Sequence, residues 1–214
     1  MPPTSETRAL ASSIRGQRAA TLDEIAAAEQ ALGFGLPGQY RDFVQIVDGG
    51  EGWAGEAYVS MWPVSDLAAL NALARVDHFA PHLTLFGTDG GTESFAFDRS
   101  GGGVTFAMVP IVGLGLGLEE RKTATFDEFL TELAGGPIHD ARHGAGLVPQ
   151  WTRLPNPDLI GKNVWQIHPV ILGGHPTEAT NRTILPLRRM LEAAAFWNEQ
   201  LAAITAGGPA TGRV

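Results

Sequence analysis

The chain has 214 residues and no cysteine. Disulfides, thiolate nucleophiles and cysteine-ligated zinc are therefore excluded, and packing alone has to hold the fold. No uninterrupted apolar run approaches the ~18 residues that a membrane span requires, so no transmembrane helix is expected. The N-terminus has no apolar stretch behind a basic start, which predicts a cytoplasmic chain without a secretory signal. Catalytic signatures are also missing. There is no P-loop and no Gly-x-Ser-x-Gly elbow. Gly113 to Gly117 alternates glycine with leucine, but it lacks the spacing of a dinucleotide fingerprint and opens no helix. His139 and His143 are spaced as zinc ligands on a helix would be, yet Gly135, Gly136, Pro137, Gly144 and Gly146 box them in and no glutamate base adjoins them. His168 and His175 each precede a proline and read as surface or turn residues. Carboxylates are plentiful, but nothing orders two of them as an acid/base pair. These absences predict a non-enzyme with no metal and no cofactor.

What is present is a globular composition, 44% hydrophobic and 18% charged, enough for one large domain or one domain with an extension. The net charge of −8 is unevenly spread. Residues 1–20 set Arg8, Arg15 and Arg18 against Glu6; residues 21–134 hold 17 acids against 5 bases; residues 135–214 hold 7 bases against 5 acids. The middle segment is thus at −12 between two flanks at +2. Such a domain repels nucleic acid and anionic membranes and attracts basic proteins. The same excess is also what a merely well-solvated surface would show.

Thr21 to Gly50 reads as a helical hairpin. Thr21 and Glu24 have capping-box spacing, Leu22, Ile25 and Leu32 lie near one face, and Gly33 supplies a stop. Pro37 suits a first helical turn, Tyr40, Phe43, Val44 and Val47 follow at helical spacing, and Asp48-Gly49-Gly50 ends the run. Glu51 to Glu56 reads as a glycine-bearing loop. Strands are predicted at 57–62, 82–86, 94–97 and 104–109, with helices from Ser65 and from Thr125 to Leu133, the latter again carrying a capping box. This pattern predicts an α+β fold, an antiparallel sheet covered by helices.

Three blocks in this order resemble the SUKH superfamily, which includes fungal cell-wall-assembly regulators and many bacterial toxin-immunity proteins. The first is the helix ending Leu32-Gly33, followed by Leu36-Pro37-x-x-Tyr40-x-x-Phe43 and Gly49-Gly50. The second, Gly87-Thr88-Asp89-Gly90-Gly91, is similar to the family's hairpin, and Thr125 to Leu130 is similar to its closing helix. Asp48 stands where asparagine is expected, and Gly38 where a polar or acidic helix-starter is expected. The resemblance covers about residues 21–134. Residues 1–20 are expected to be a loose arm or frayed helix, residues 135–204 a C-terminal strand–helix extension packed on the domain, and residues 205–214 a disordered tail. In the extension, Asn163 to Leu172 reads as an extended apolar run. Pro186 opens a helix with Leu187, Met190, Ala194, Trp197, Leu201 and Ile204 in one stripe.

The resemblance implies a non-catalytic protein that binds a cognate toxin, of which nucleases and deaminases are the commonest, and blocks it by occlusion. A regulatory scaffold of the fungal type is the alternative. The candidate partner-binding residues are Asp48, Glu51, Trp53, Glu56, Asp89 and Glu93, an aromatic within an acidic rim. Two of them have plainer readings: Trp53 also reads as closing a helix–strand corner of the core, and Asp89 as only shaping its turn. Trp62, Trp151, Trp165 and Trp197 read as core. A basic protein partner is expected, with no nucleic acid and no membrane; the oligomeric state is open.

Overall fold

Local signals set the helices where capping and spacing place them. The structure, a computed structural model, describes residues 4–16, 18–55, 57–118, 120–135 and 159–207. Helix α1 spans Ser5–Ser13, α2 Leu22–Leu32 and α3 Gly38–Val44. At the start of α2 the Thr21 hydroxyl accepts the Glu24 N–H at 3.2 Å, and the Glu24 carboxylate accepts the Thr21 N–H at 2.8 Å. Arg18 pairs with the same carboxylate, and that pairing, with the capping bonds, holds Glu24 at a pKa of about 2. Helix α3 begins after Pro37 and buries Tyr40, Phe43 and Val44.

Seven strands follow one another as an antiparallel meander, each paired to the next in the chain. They are β1 (Arg15–Gly16), β2 (Gly50–Ala54), β3 (Ala57–Met61), β4 (Leu83–Thr88), β5 (Glu93–Asp98), β6 (Thr105–Pro110) and β7 (Glu120–Thr123). Helices α4 (Leu67–Leu73) and α5 (Val76–Phe79) connect β3 to β4, and α6 (Phe126–Ala134) follows β7. Every position of β4 is buried, and all of β5 beyond Glu93, so both faces of the central strands are covered. A second, two-stranded sheet pairs β8 (Lys162–Gln166) with β9 (Arg182–Pro186), and α7 (Leu187–Thr205) ends the described chain. None of the described helices is long and apolar enough to cross a membrane.

The core is aromatic. Phe86 stacks on Phe97 at 4.5 Å, and Tyr40 meets Phe97 edge-on at 4.9 Å and Phe126 at 5.4 Å. Phe43, Phe95, Phe106 and Phe129 complete the cluster, so α3 and α6 are fixed to the sheet by rings from β4, β5 and β6. Edge-on pairs of this kind add about 0.5–1.5 kcal/mol each beyond area burial. Leu36, Tyr40 and Phe43, the residues of the Leu-Pro-x-x-Tyr-x-x-Phe block, are all buried. That block therefore works as core. The Tyr40 hydroxyl has no hydrogen-bond partner, and burial pushes its pKa up.

Three elements depart from the expectations. Residues 5–13 form a docked helix, not a loose arm: the Thr7 hydroxyl donates to Asp127 Oδ1 at 2.6 Å, Thr4 donates to the same oxygen, and Leu10 and Ile14 are buried. Gln39 Nε2 donates to the other oxygen at 2.6 Å, so Asp127 ties α1, α3 and α6 together. These bonds are non-local, so no periodicity announces them. Second, Gly50 to Ala54 is a strand and not a loop. Glycine is a poor strand residue, but Gly52 is required here: a Cβ would lie 2.6 Å from the Ser13 carbonyl oxygen, so only glycine lets the end of α1 sit on β2. Third, the extended run after Asn163 stops at Gln166, and residues 170–172 form a 3-10 turn after Pro169.

The extension packs on the core. Met190, Leu191, Ala194 and Leu201 join the buried cluster. In the expected stripe Leu187 and Trp197 are half-buried and Ile204 is 40% exposed, while Leu191 and Asn198 take the inward positions. Asn198 Nδ2 donates to the Ile111 carbonyl at 2.9 Å, and the Gly113 N–H donates to Asn198 Oδ1 at 2.7 Å. Arg75 pairs with Glu199. Arg75 is also the one non-glycine residue with positive φ, at 53°, among the described residues.

Candidate functional site

The six candidate residues fall into three situations. Asp48 is buried, and its Oδ1 accepts the Val64 N–H at 2.9 Å, joining the exit of α3 to the 3-10 turn before α4. Burial raises its carboxyl pKa, and the nearby Glu24 and Asp66 charges push the same way. Asp89 builds the β4–β5 turn. Its Oδ1 accepts the Gly91 N–H at 2.7 Å and the Glu93 N–H at 3.2 Å, while the Asp89 N–H donates to the Glu93 carbonyl at 3.1 Å. The residue is half-buried but its carboxyl group is folded into the turn, and this burial raises its pKa to about 6 against the pull of those N–H donors. Glu93 is half-buried at the start of β5.

Glu51 and the hairpin carrying Asp89 meet the extension. The Gly161 N–H donates to Glu51 Oε1 at 2.7 Å, and Tyr58 donates its hydroxyl to the other oxygen. One turn along, the Val164 N–H donates to the Gly90 carbonyl at 2.9 Å. Residues 161–164 thus run from β2 to the tip of the β4–β5 hairpin, along the acidic rim that the sequence suggests. The sequence carries no local sign of this, because the contacts span 110 residues for Glu51. Glu56 lies outside the described residues.

Trp53 is half-buried on β2, next to β3, with its ring edge-on to Tyr58 at 5.4 Å. Its carbonyl accepts the Ser13 hydroxyl at 2.6 Å, which fixes β2 to the end of α1. The indole lines a pocket of about 270 Å³ between α1 and α6, together with Ser5, Ala9, Leu10, Ala54, Gly55, Leu130 and Ala134. Trp53 therefore lies apart from the Asp89 turn and faces a different neighbourhood from Asp48. Gly55 closes the pocket's end: its φ is +58°, and a Cβ there would lie 2.5 Å from the Ala134 carbonyl oxygen.

The acids that do face solvent are others. Asp23, Asp66, Asp77, Glu128 and Glu132 are exposed. Asp98 is not: burial alone would raise its pKa, but Lys122 at 2.6 Å and the Ser100 N–H hold it low. Among the described residues no group of three or more histidine, aspartate or glutamate side chains is placed to hold a metal. His168 stacks on Trp197 at 5.7 Å, and His175 Nδ1 faces the Thr177 N–H at 3.3 Å. His139 and His143 lie outside the described residues.

Tyr40, Phe43, Asp48, Asp89 and the capped α6 are thus parts of one scaffold, an antiparallel meander closed by aromatic helices. A comparison with curated proteins finds no match. A comparison with family models does: that of the SMI1 / KNR4 family (SUKH-1) matches residues 19–132, the span from the lead-in to α2 to the last turn of α6. The match covers more than half of the chain, and this protein belongs to the SMI1 / KNR4 (SUKH-1) family.

Proposed function

We propose that this chain is a non-catalytic immunity protein, which neutralises a basic toxin of nuclease or deaminase chemistry by covering its active site. The observation that carries this reading is the charge asymmetry: 17 acids against 5 bases in residues 21–134, with mildly basic flanks. An enzyme that acts on nucleic acid presents a basic cleft, and complementary charge accelerates encounter and selects the partner. The exposed acids on α2, α6 and the turn before α4 supply that field on the outside of the fold, while Asp48 and Asp89 serve its interior. Glu93 and Trp53 remain candidate contact residues on separate parts of the surface, and Glu51 is joined to the extension through Gly161.

A regulatory scaffold is the second reading, favoured by the apolar side chains that the extension leaves in water, Ile160 at 58% and Ile184 at 49% exposure among them. Co-expression with the product of the neighbouring gene separates the two. The immunity reading expects a single tight complex in which the toxic activity is lost. Retained toxicity in the presence of excess folded protein would contradict it, and a set of weak partners without neutralisation would favour the scaffold.

A further inference from the structure

Helix α2 has an outer face unlike that of a helix meant only for water. Its inward side carries Ile25, Ala28 and Leu32, and the helix packs on the 3-10 turn Val64–Asp66 and on α4. The opposite side, Leu22, Asp23, Ala26, Ala27, Gln30 and Ala31, is exposed at every position. Residues three and four apart share one face of a helix, and a face turned to solvent is ordinarily charged. Here it holds one charge, Asp23, and four apolar side chains, with Leu22 at 63% exposure. Alongside, α4 adds Ala69 and Ala72, both exposed.

The adjoining corner is apolar and acidic together. The Ala20 N–H donates to the Val44 carbonyl at 2.8 Å and Asp48 holds the Val64 N–H, so the start of α2, the exit of α3 and the 3-10 turn meet. Ile46 is 43% exposed at that exit. Leu22 and Ile46 are two of the three large apolar side chains left exposed in the described part of residues 21–134. Asp23 and Asp66 are exposed at the same corner, and neither forms an ion pair among the described residues. The cations of the corner, Arg18 and Arg41, are already paired, with Glu24 and with Glu29, and neither α2 nor α4 contains a lysine or arginine.

Apolar side chains with unpaired carboxylates at their edge match lysine and arginine, whose methylene stems lie on apolar surface while the charged head reaches an acid. Alanine has no rotamers to lose when it is covered, so this floor is buried at little entropic cost. Nucleic acid and anionic membranes are repelled by the same acids, and a second copy, at −8 overall, brings like charge.

We propose that the outer face of α2, with Leu22 and Ile46 at its edge, is the docking surface for the basic protein partner, whose lysine or arginine stems lie on Leu22 and Ala27 and whose charges meet Asp23 and Asp66. This rests on the protein-binding reading and gives it a location, on α2 and away from Trp53 and the β4–β5 turn.

The test is the binding kinetics of the full chain with the product of the neighbouring gene. Ala27→Arg places a long side chain and a charge of the partner's sign at the centre of the face, at an exposed position where arginine suits a helix. It should weaken the complex by at least about 30-fold, the scale of an interface hot spot, with an unchanged melting temperature. Leu22→Ala should speed dissociation about 5–10-fold and leave association alone. Ala202→Arg, the same change at an exposed position of α7, should bind as the wild type does. Wild-type affinity in Ala27→Arg, or equal losses in Ala27→Arg and Ala202→Arg, would overturn the assignment and leave the partner standing. Self-association of the wild type that Ala27→Arg abolishes would give the face to a second copy and overturn it too. A wild-type chain that forms no complex with that product would remove the immunity reading, and this surface with it.

Discussion

Residues 21–134 bury nine aromatic side chains in one continuous cluster, whereas residues 159–207 bury Trp165 alone among their aromatics. The asparagines show the reverse. Asn163, Asn181 and Asn198 are the buried asparagines among the described residues, and all three belong to the extension. Asn181 accepts the His168 N–H at 2.7 Å and donates to the His168 and His175 carbonyls at 2.9 and 3.0 Å, so one amide holds the loop between β8 and β9. Seven of the ten large apolar side chains left exposed also lie in the extension. The core is thus stabilised by area and ring packing, and the extension is positioned by specific polar bonds. A satisfied buried amide fixes one arrangement, but it adds little net stability compared with a buried ring. The extension should therefore be the part that opens first.

The largest expected effect tests the core half of this comparison. Phe86→Ala removes a ring that stacks on Phe97 and touches rings from β5, β6, α3 and α6, and should cost about 3–5 kcal/mol in denaturant unfolding. A loss below about 1 kcal/mol would mean that the cluster repacks freely and is not the source of stability.

Asn198→Ala comes next. It leaves the Ile111 carbonyl and the Gly113 N–H buried without their partners, at about 1–3 kcal/mol for each such group. Hydrogen exchange should show α7 and β8–β9 losing protection while β4 to β6 keep theirs. Uniform loss across both regions would make the extension one cooperative unit with the core and break the comparison.

Asp89→Asn has a smaller effect, with a sign set by pH. In the fold Asp89 titrates at about 6, above its ordinary 3.8, so the folded state holds more protons between these values than the unfolded chain does. Its contribution is full below about pH 4, is lost as the pH rises towards 6, and is flat above that. Asparagine still accepts the Gly91 and Glu93 N–H groups without a charge to bury. The variant should be more stable at pH 7 by about 1–2 kcal/mol and should lose this part of the pH dependence. A destabilised variant at pH 7 would show that the turn needs the charge.

The smallest effect is at the seam between the regions. Arg75→Gly relieves a left-handed backbone but gives up an exposed pair with Glu199, two terms of about 1 kcal/mol or less that oppose each other. The melting temperature should barely move. A large drop would make this exposed pair, with the contact of Arg75 on Phe79, a principal tie between core and extension.

What was legible in the sequence was local. The capping boxes at Thr21 and Thr125, the inward ring spacing of Tyr40 and Phe43, and the Asp89-Gly90 turn all depend on neighbours within four residues, and the structure forms each of them. The same locality explains why the family could be recognised and the contact surface could not. The recognisable residues are those that build the scaffold, Asp48 and Asp89 included. Glu51 appears as a rim charge until Gly161 arrives on it from far along the chain, and β2 appears as a loop until α1 docks on Gly52. The pocket of Trp53 needs α1, and α1 depends on hydroxyls reaching Asp127 across 120 residues or more.

The most direct test of the central claim, that an acidic SUKH domain captures a basic protein, is the association rate with the neighbouring-gene product across a salt series. It should be measured for the wild type and for a variant with Asp23, Asp66, Asp77 and Glu132 changed to lysine. The wild-type on-rate should fall steeply as salt rises, because screening shortens to about 8 Å at physiological ionic strength. The reversed variant should associate at least about tenfold more slowly at low salt, with little change in dissociation and an unchanged melting temperature. On-rates that are equal for the two proteins and insensitive to salt would contradict the claim.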